Sequence, residues 1–128
     1  MLMQAQKKPK KKHNLSLVSS VGFTIHGPLD VARFNSFMSH LLEEKSADLF
    51  RTKGLLAFSD QGDNKYLFQG VHEQIDFGPS DIPWRSDEER VSKMVFIGKN
   101  LDFEQLKEGL REATADPATT VVKMHKRT

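Results

Sequence analysis

Nucleotide chemistry needs a loop in which a GxxxxGK[ST] spacing turns backbone amides and a lysine toward phosphates. In this 128-residue chain the nearest approach is Gly98-Lys99, but Asn100 follows it and Lys93 stands five residues before Gly98, so the spacing fails at both ends. Zinc chemistry needs three or four converging ligands and a second shell that orients them. The five histidines, His13, His26, His40, His72 and His125, are dispersed without HxH or HExxH spacing, and there is no cysteine. His72 is the best of them, because strand alternation puts it on the face of Tyr66, Phe68 and Gly70. His26 can join it only if their strands are neighbours. Hydrolytic chemistry fares no better: no nucleophile elbow presents a serine on a strained turn, and Asp48, Asp60 and Asp63 fall at exposed or turn positions. These readings give no catalytic, cofactor-binding or metal-ligating residue.

Contact chemistry remains. Arg51 and Lys53 precede a strand, and Trp84, Arg85 and Arg90 crowd a polar loop. Trp and Arg are the types that most often anchor protein interfaces, so the partner-contact candidates are Arg51, Lys53, His72, Trp84, Arg85 and Arg90. The competing reading has Trp84 capping one end of the core while the arginines pair with Asp87, Glu88 or Glu89.

The elements that must position these residues follow from periodicity. Leu15, Leu17, Val21, Phe23 and Ile25 alternate with polar residues, which predicts a half-buried strand. His26-Gly27-Pro28 breaks it, and Asp30 caps a helix with Val31, Phe34, Phe37, Met38, Leu41 and Leu42 on one stripe. Gly54 to Ser59 and Lys65 to Ile75 read as a hairpin around Gln61-Gly62-Asp63-Asn64. Val91 to Gly98 is a further strand. Asn100 or Asp102 caps a second helix with Phe103, Leu106, Leu110 and Ala113 on one face. The order β-α-β-β-β-α predicts an α+β two-layer sandwich, a four-stranded, mostly antiparallel sheet with both helices on one face. Thr119 to Met124 can pair weakly at an edge.

Charge is unevenly spread. Eight of the 19 basic residues lie near the ends: Lys7, Lys8, Lys10, Lys11 and Lys12 at the start, and Lys123, Lys126 and Arg127 at the finish. The other 11 stand against 17 acidic residues, so the segment between carries a net −6. The expected organisation is a Lys-rich leader or linker at 1–13, a folded domain at 14–116 and a basic tail at 117–128. No apolar run approaches the roughly 20 residues of a membrane-spanning helix, and the Lys-rich start lacks the apolar stretch of a secretory signal. An intracellular, cytoplasmic protein is the expectation.

Three blocks in one order carry a family resemblance: Phe50-Arg51-Thr52-Lys53-Gly54-Leu55-Leu56, then Tyr66-Leu67-Phe68-Gln69-Gly70-Val71-His72, then Lys93-Met94-Val95-Phe96-Ile97-Gly98-Lys99-Asn100-Leu101. Together they resemble the C-terminal domain of CobW-type GTPases, over roughly residues 15 to 115. The family places a charged linker before this domain, and a Trp with nearby basic residues before the Val-Phe-Ile-Gly strand. The resemblance implies an accessory domain of a GTP-dependent metal chaperone handling zinc, or cobalt in cobalamin biosynthesis. It implies GTP, Mg²⁺ and the metal for the full-length protein, with GTP hydrolysis in a preceding domain whose motifs have no counterpart in these 128 residues. The implied partners are that GTPase domain and a client metalloprotein.

Two other readings stay open. A small nucleic-acid-binding protein could use the basic leader and Tyr66 and Phe68 as a stacking platform, although the acidic middle disfavours phosphate contact. A free-standing adaptor or homo-oligomer could use the sheet face away from the helices, since Leu55, Leu56 and Phe58 place apolar residues on both sides.

Overall fold

The computed structural model describes residues 18–71 and 74–127. The chain runs β1 (Val18–His26), α1 (Val31–Lys45), β2 (Leu49–Leu56), β3 (Tyr66–Val71), β4 (Gln74–Pro79), β5 (Ser92–Lys99), α2 (Phe103–Glu112) and β6 (Val121–Arg127). All strands join one sheet in the order β4-β3-β2-β5-β1-β6, and every neighbouring pair is antiparallel.

The sheet therefore has six strands where the sequence predicts four. One extra strand arises because the segment expected to run unbroken from Lys65 to Ile75 folds back on itself, pairing Val71 with Gln74 and Tyr66 with Pro79. The other is β6, which pairs with β1 from Ser20 opposite Arg127 to His26 opposite Val121. Much of the segment read as a basic tail is thus an edge strand. β2 also begins earlier than its predicted start at Gly54. A register shift between Leu49 and Arg51 inserts Phe50 as an extra residue, so Leu49 and Thr52 are both buried and the simple alternation is lost.

The core lies between one sheet face and both helices. Val21, Phe23 and Ile25 of β1, Met94 and Phe96 of β5 and Phe68 of β3 form a single cluster with Phe34 and Met38 of α1 and Leu106 and Leu110 of α2. Edge-to-face ring pairs tie it together, Phe23 with Phe96 at 5.9 Å and Phe34 with Phe68 at 5.6 Å between centroids. Burying each such ring contributes about 1.5–3 kcal/mol. Both helices start as the sequence predicts. The Asp30 carboxylate accepts the Arg33 N–H at 3.0 Å and the Asp102 carboxylate accepts the Gln105 N–H at 3.1 Å. Asn100, the other candidate cap, instead makes the turn out of β5 at φ 58°.

Candidate functional site

The side chains that alternate away from the helices form an open face. On β2 these are Arg51, Lys53 and Leu55; Leu55 lies opposite Leu67 on one side and Lys93 on the other, and Lys53 lies between Gln69 and Val95. Arg51 is flanked in the same way by Val71 and Ile97. The three strands line a concavity of about 690 Å³.

This face is apolar at its floor and basic across it. Leu67, Val71 and Val95 are 49%, 51% and 39% exposed. With Val18 and Val121 they make five of the seven large exposed hydrophobic residues among the described residues, which marks one surface and not a scatter. Lys99 and Lys123 share the face with Arg51, Lys53 and Lys93. Asp76 is the only carboxylate that the described strands place there. Lys65, Arg85, Arg90 and Arg111 each hold a carboxylate elsewhere in the molecule. Arg51, Lys53 and Lys93 hold none among the described residues.

The loop candidates form a second group, at the other end of β3. Trp84 is buried, its N–H donating to the Asp63 carbonyl at 2.9 Å and its ring lying 4.7 Å from the Lys65 ammonium. Arg90 donates to the Gly62 carbonyl at 2.7 Å and pairs with the Asp63 carboxylate. Arg85 pairs with Asp87 at 3.0 Å. Glu88 accepts the Arg85 N–H at 2.7 Å and lies 3.3 Å from the Lys65 ammonium. The Arg85 N–H, followed by Lys65, holds the Glu88 carboxyl below the ordinary glutamate range. The bonds of Trp84, Arg90 and Glu88 tie the loop to the β2–β3 turn and to Lys65.

His72 lies outside the described residues. β1 and β3 are separated by β5 and β2 in the sheet, so the condition for His26 to approach it, adjacent strands, is not met. His26 lies 3.4 Å from Glu89, His40 3.2 Å from Glu44, and His125 3.2 Å from the Thr24 hydroxyl. No group of three or more His, Cys, Asp or Glu among the described residues can hold a metal ion. The described side chains do not fit a metal centre. They do not fit a nucleotide cradle either, because Gly98 is an interior strand position whose hydrogen side faces the Asp48 backbone carbonyl. Tyr66 and Phe68 turn toward the core, where Phe68 is buried, so they offer no open stacking platform. No helix among the described residues is long and apolar enough to cross a membrane.

Residues 18–114 match the family described as the cobalamin synthesis protein cobW C-terminal domain. The chain belongs to the CobW C-terminal domain family. Two solved structures carry the same fold. The zinc(II)-bound YjiA GTPase from E. coli is 33% identical at a TM-score of 0.70, over 84% of this chain and 34% of that one. A zinc(II)-bound triple mutant of YjiA GTPase is 34% identical at a TM-score of 0.70, over 76% of this chain and 30% of that one. This chain spans about a third of the length of those GTPases.

Within this CobW C-terminal domain, Arg51 and Lys53 share one surface, while Arg85 and Arg90 flank a loop in which Trp84 is buried. The sequence reading missed Lys93, Leu67, Val71 and Val95 as companions of Arg51 and Lys53. Their signal was the period of two along β2, β3 and β5, which puts all of them out of phase with Phe68, Met94 and Phe96.

Proposed function

We propose that this CobW C-terminal domain is the accessory module of a GTP-dependent metal-handling protein, and that it contributes protein–protein contacts, not GTP hydrolysis. Its partners are the GTPase domain and a client metalloprotein. The metal is zinc or cobalt, handled by the protein of which the domain forms part. Family membership and likeness to zinc(II)-bound GTPases support the setting. The observation that carries the contact role is the open face, where exposed apolar side chains stand on hydrogen-bonded strands beside cations that hold no carboxylate among the described residues. An aqueous cation gains little by itself, but one aligned against an opposite charge at an interface steers association and fixes register.

The test is to incubate the chain with GTP and Mg²⁺ and measure phosphate release, then titrate it into a separately produced CobW-type GTPase domain by calorimetry. The expected result is no release above a buffer blank together with saturable heat on mixing. Turnover by the chain alone, or no heat on mixing, overturns the reading.

A further inference from the structure

We propose that the open face of the sheet seats an acidic amphipathic helix of a partner protein. This rests on the contact reading above and specifies the chemistry of the contact. The floor is set by three neighbouring strands. Strands lie about 4.8 Å apart, so β3, β2 and β5 together match the roughly 10 Å width of a helix. The opposite face of the same sheet already seats helices in this manner, with Phe34 and Met38 of α1 and Leu106 and Leu110 of α2 laid on it. Leu55, Leu67, Val71 and Val95 offer a comparable apolar bed on the open side.

Charge decides the partner's sign. Arg51 lies at one end of the bed and Lys93, opposite Leu55, toward the other, with Lys53 between them. The rise from Arg51 to Leu55 is about 13 Å at strand geometry, which eight or nine residues of helix cover at about 1.5 Å each. Carboxylates flanking a helical apolar stripe at that spacing meet cations that hold no other carboxylate among the described residues. A basic helix meets repulsion there. A flat anionic bilayer cannot follow the concavity to its apolar floor, and nucleic acid offers no apolar stripe to fill it.

The probe is a labelled peptide of about 18 residues, built from leucine and glutamate with one apolar stripe and followed by fluorescence anisotropy. Two controls accompany it, one with lysine in place of glutamate and one scrambled to break the stripe. The acidic amphipathic peptide is expected to bind, to weaken as salt rises, and to lose about tenfold or more in affinity with Lys53→Glu or Lys93→Glu. Leu67→Ser is expected to weaken it through the floor while leaving salt dependence intact. Thermal melts confirm that each variant folds. Equal binding of either control peptide, or indifference to the charge reversals, overturns the proposal. So does binding of phosphatidylserine vesicles or oligouridylate with the same Lys53→Glu sensitivity. A dimer seen by light scattering that the peptide fails to dissociate also overturns it, in favour of a second copy. If the GTPase domain binds while the peptide does not, this proposal fails and the contact reading stands.

Discussion

Trp84 shows how a residue type that anchors interfaces can instead anchor its own loop. Its ring is buried beside Lys65, and its backbone is tied to Asp63. Trp84→Ala is therefore expected to destabilise the fold by about 3 kcal/mol, as loss of a buried ring does, measured by urea denaturation. A change below about 0.5 kcal/mol, the range of surface substitutions, would place Trp84 outside the packed structure. Glu88 gives the same loop a pH dependence. Its folded pKa is lowered, first by the Arg85 N–H and then by Lys65. The stability it adds is thus present above the ordinary glutamate pKa and disappears as pH falls through the lowered value. Melting curves of wild type and Glu88→Gln should differ at neutral pH and converge in acid. A gap that persists or widens in acid contradicts the assignment.

At the scale of elements, much was legible because it rests on local rules. The caps at Asp30 and Asp102, the apolar stripes of both helices, and the alternation of β5 and of β1 at Val21, Phe23 and Ile25 appear as predicted, while Leu15 and Leu17 lie outside the described residues. What failed was non-local. The bulge at Phe50 breaks the phase of β2, so Arg51-Thr52-Lys53 do not read as strand although they pair on both sides. Val71 pairs with Gln74, and the sequence between them, His72-Glu73, contains no Gly, Pro or Asn to announce a reversal. The edge pairing expected of Thr119 to Met124 is present as β6, which runs on to Arg127 and is held by pairing with β1 and burying Val122. Gly98 illustrates the ambiguity of a single residue: beside Lys99 it resembles half of a phosphate loop, whereas its place opposite the Asp48 carbonyl shows that the bulge needs a residue without Cβ. Gly98→Ala should cost roughly 1–3 kcal/mol through overpacking against backbone. Gly78→Ala, where nothing lies within 4 Å of the added carbon, should be close to neutral by the same chemical denaturation. Equal costs at the two sites would remove the steric argument.

For the whole molecule, the main lesson concerns charge. Net counts made the middle of the chain acidic, and that is correct as a sum. Folding sorts the sum: Glu104, Glu108 and Glu112 are exposed on α2, while Arg51, Lys53, Lys93, Lys99 and Lys123 share the opposite side of the sheet. A sheet face with this excess of cations can orient an approaching acidic surface before contact. The candidate loop residues and the candidate strand residues looked equivalent in the sequence because both pair arginine with large apolar neighbours. The loop pairs Arg85 and Arg90 with its own and neighbouring carboxylates, whereas Arg51, Lys53 and Lys93 hold none among the described residues. The most direct measurement is amide chemical-shift mapping of the isotope-labelled chain during titration with a CobW-type GTPase domain. The account predicts shifts concentrated on β2, β3 and β5, with Lys53, Leu55 and Val95 among the largest, and their loss in Lys53→Glu. Shifts confined to α1, α2 or the Trp84 loop would contradict it.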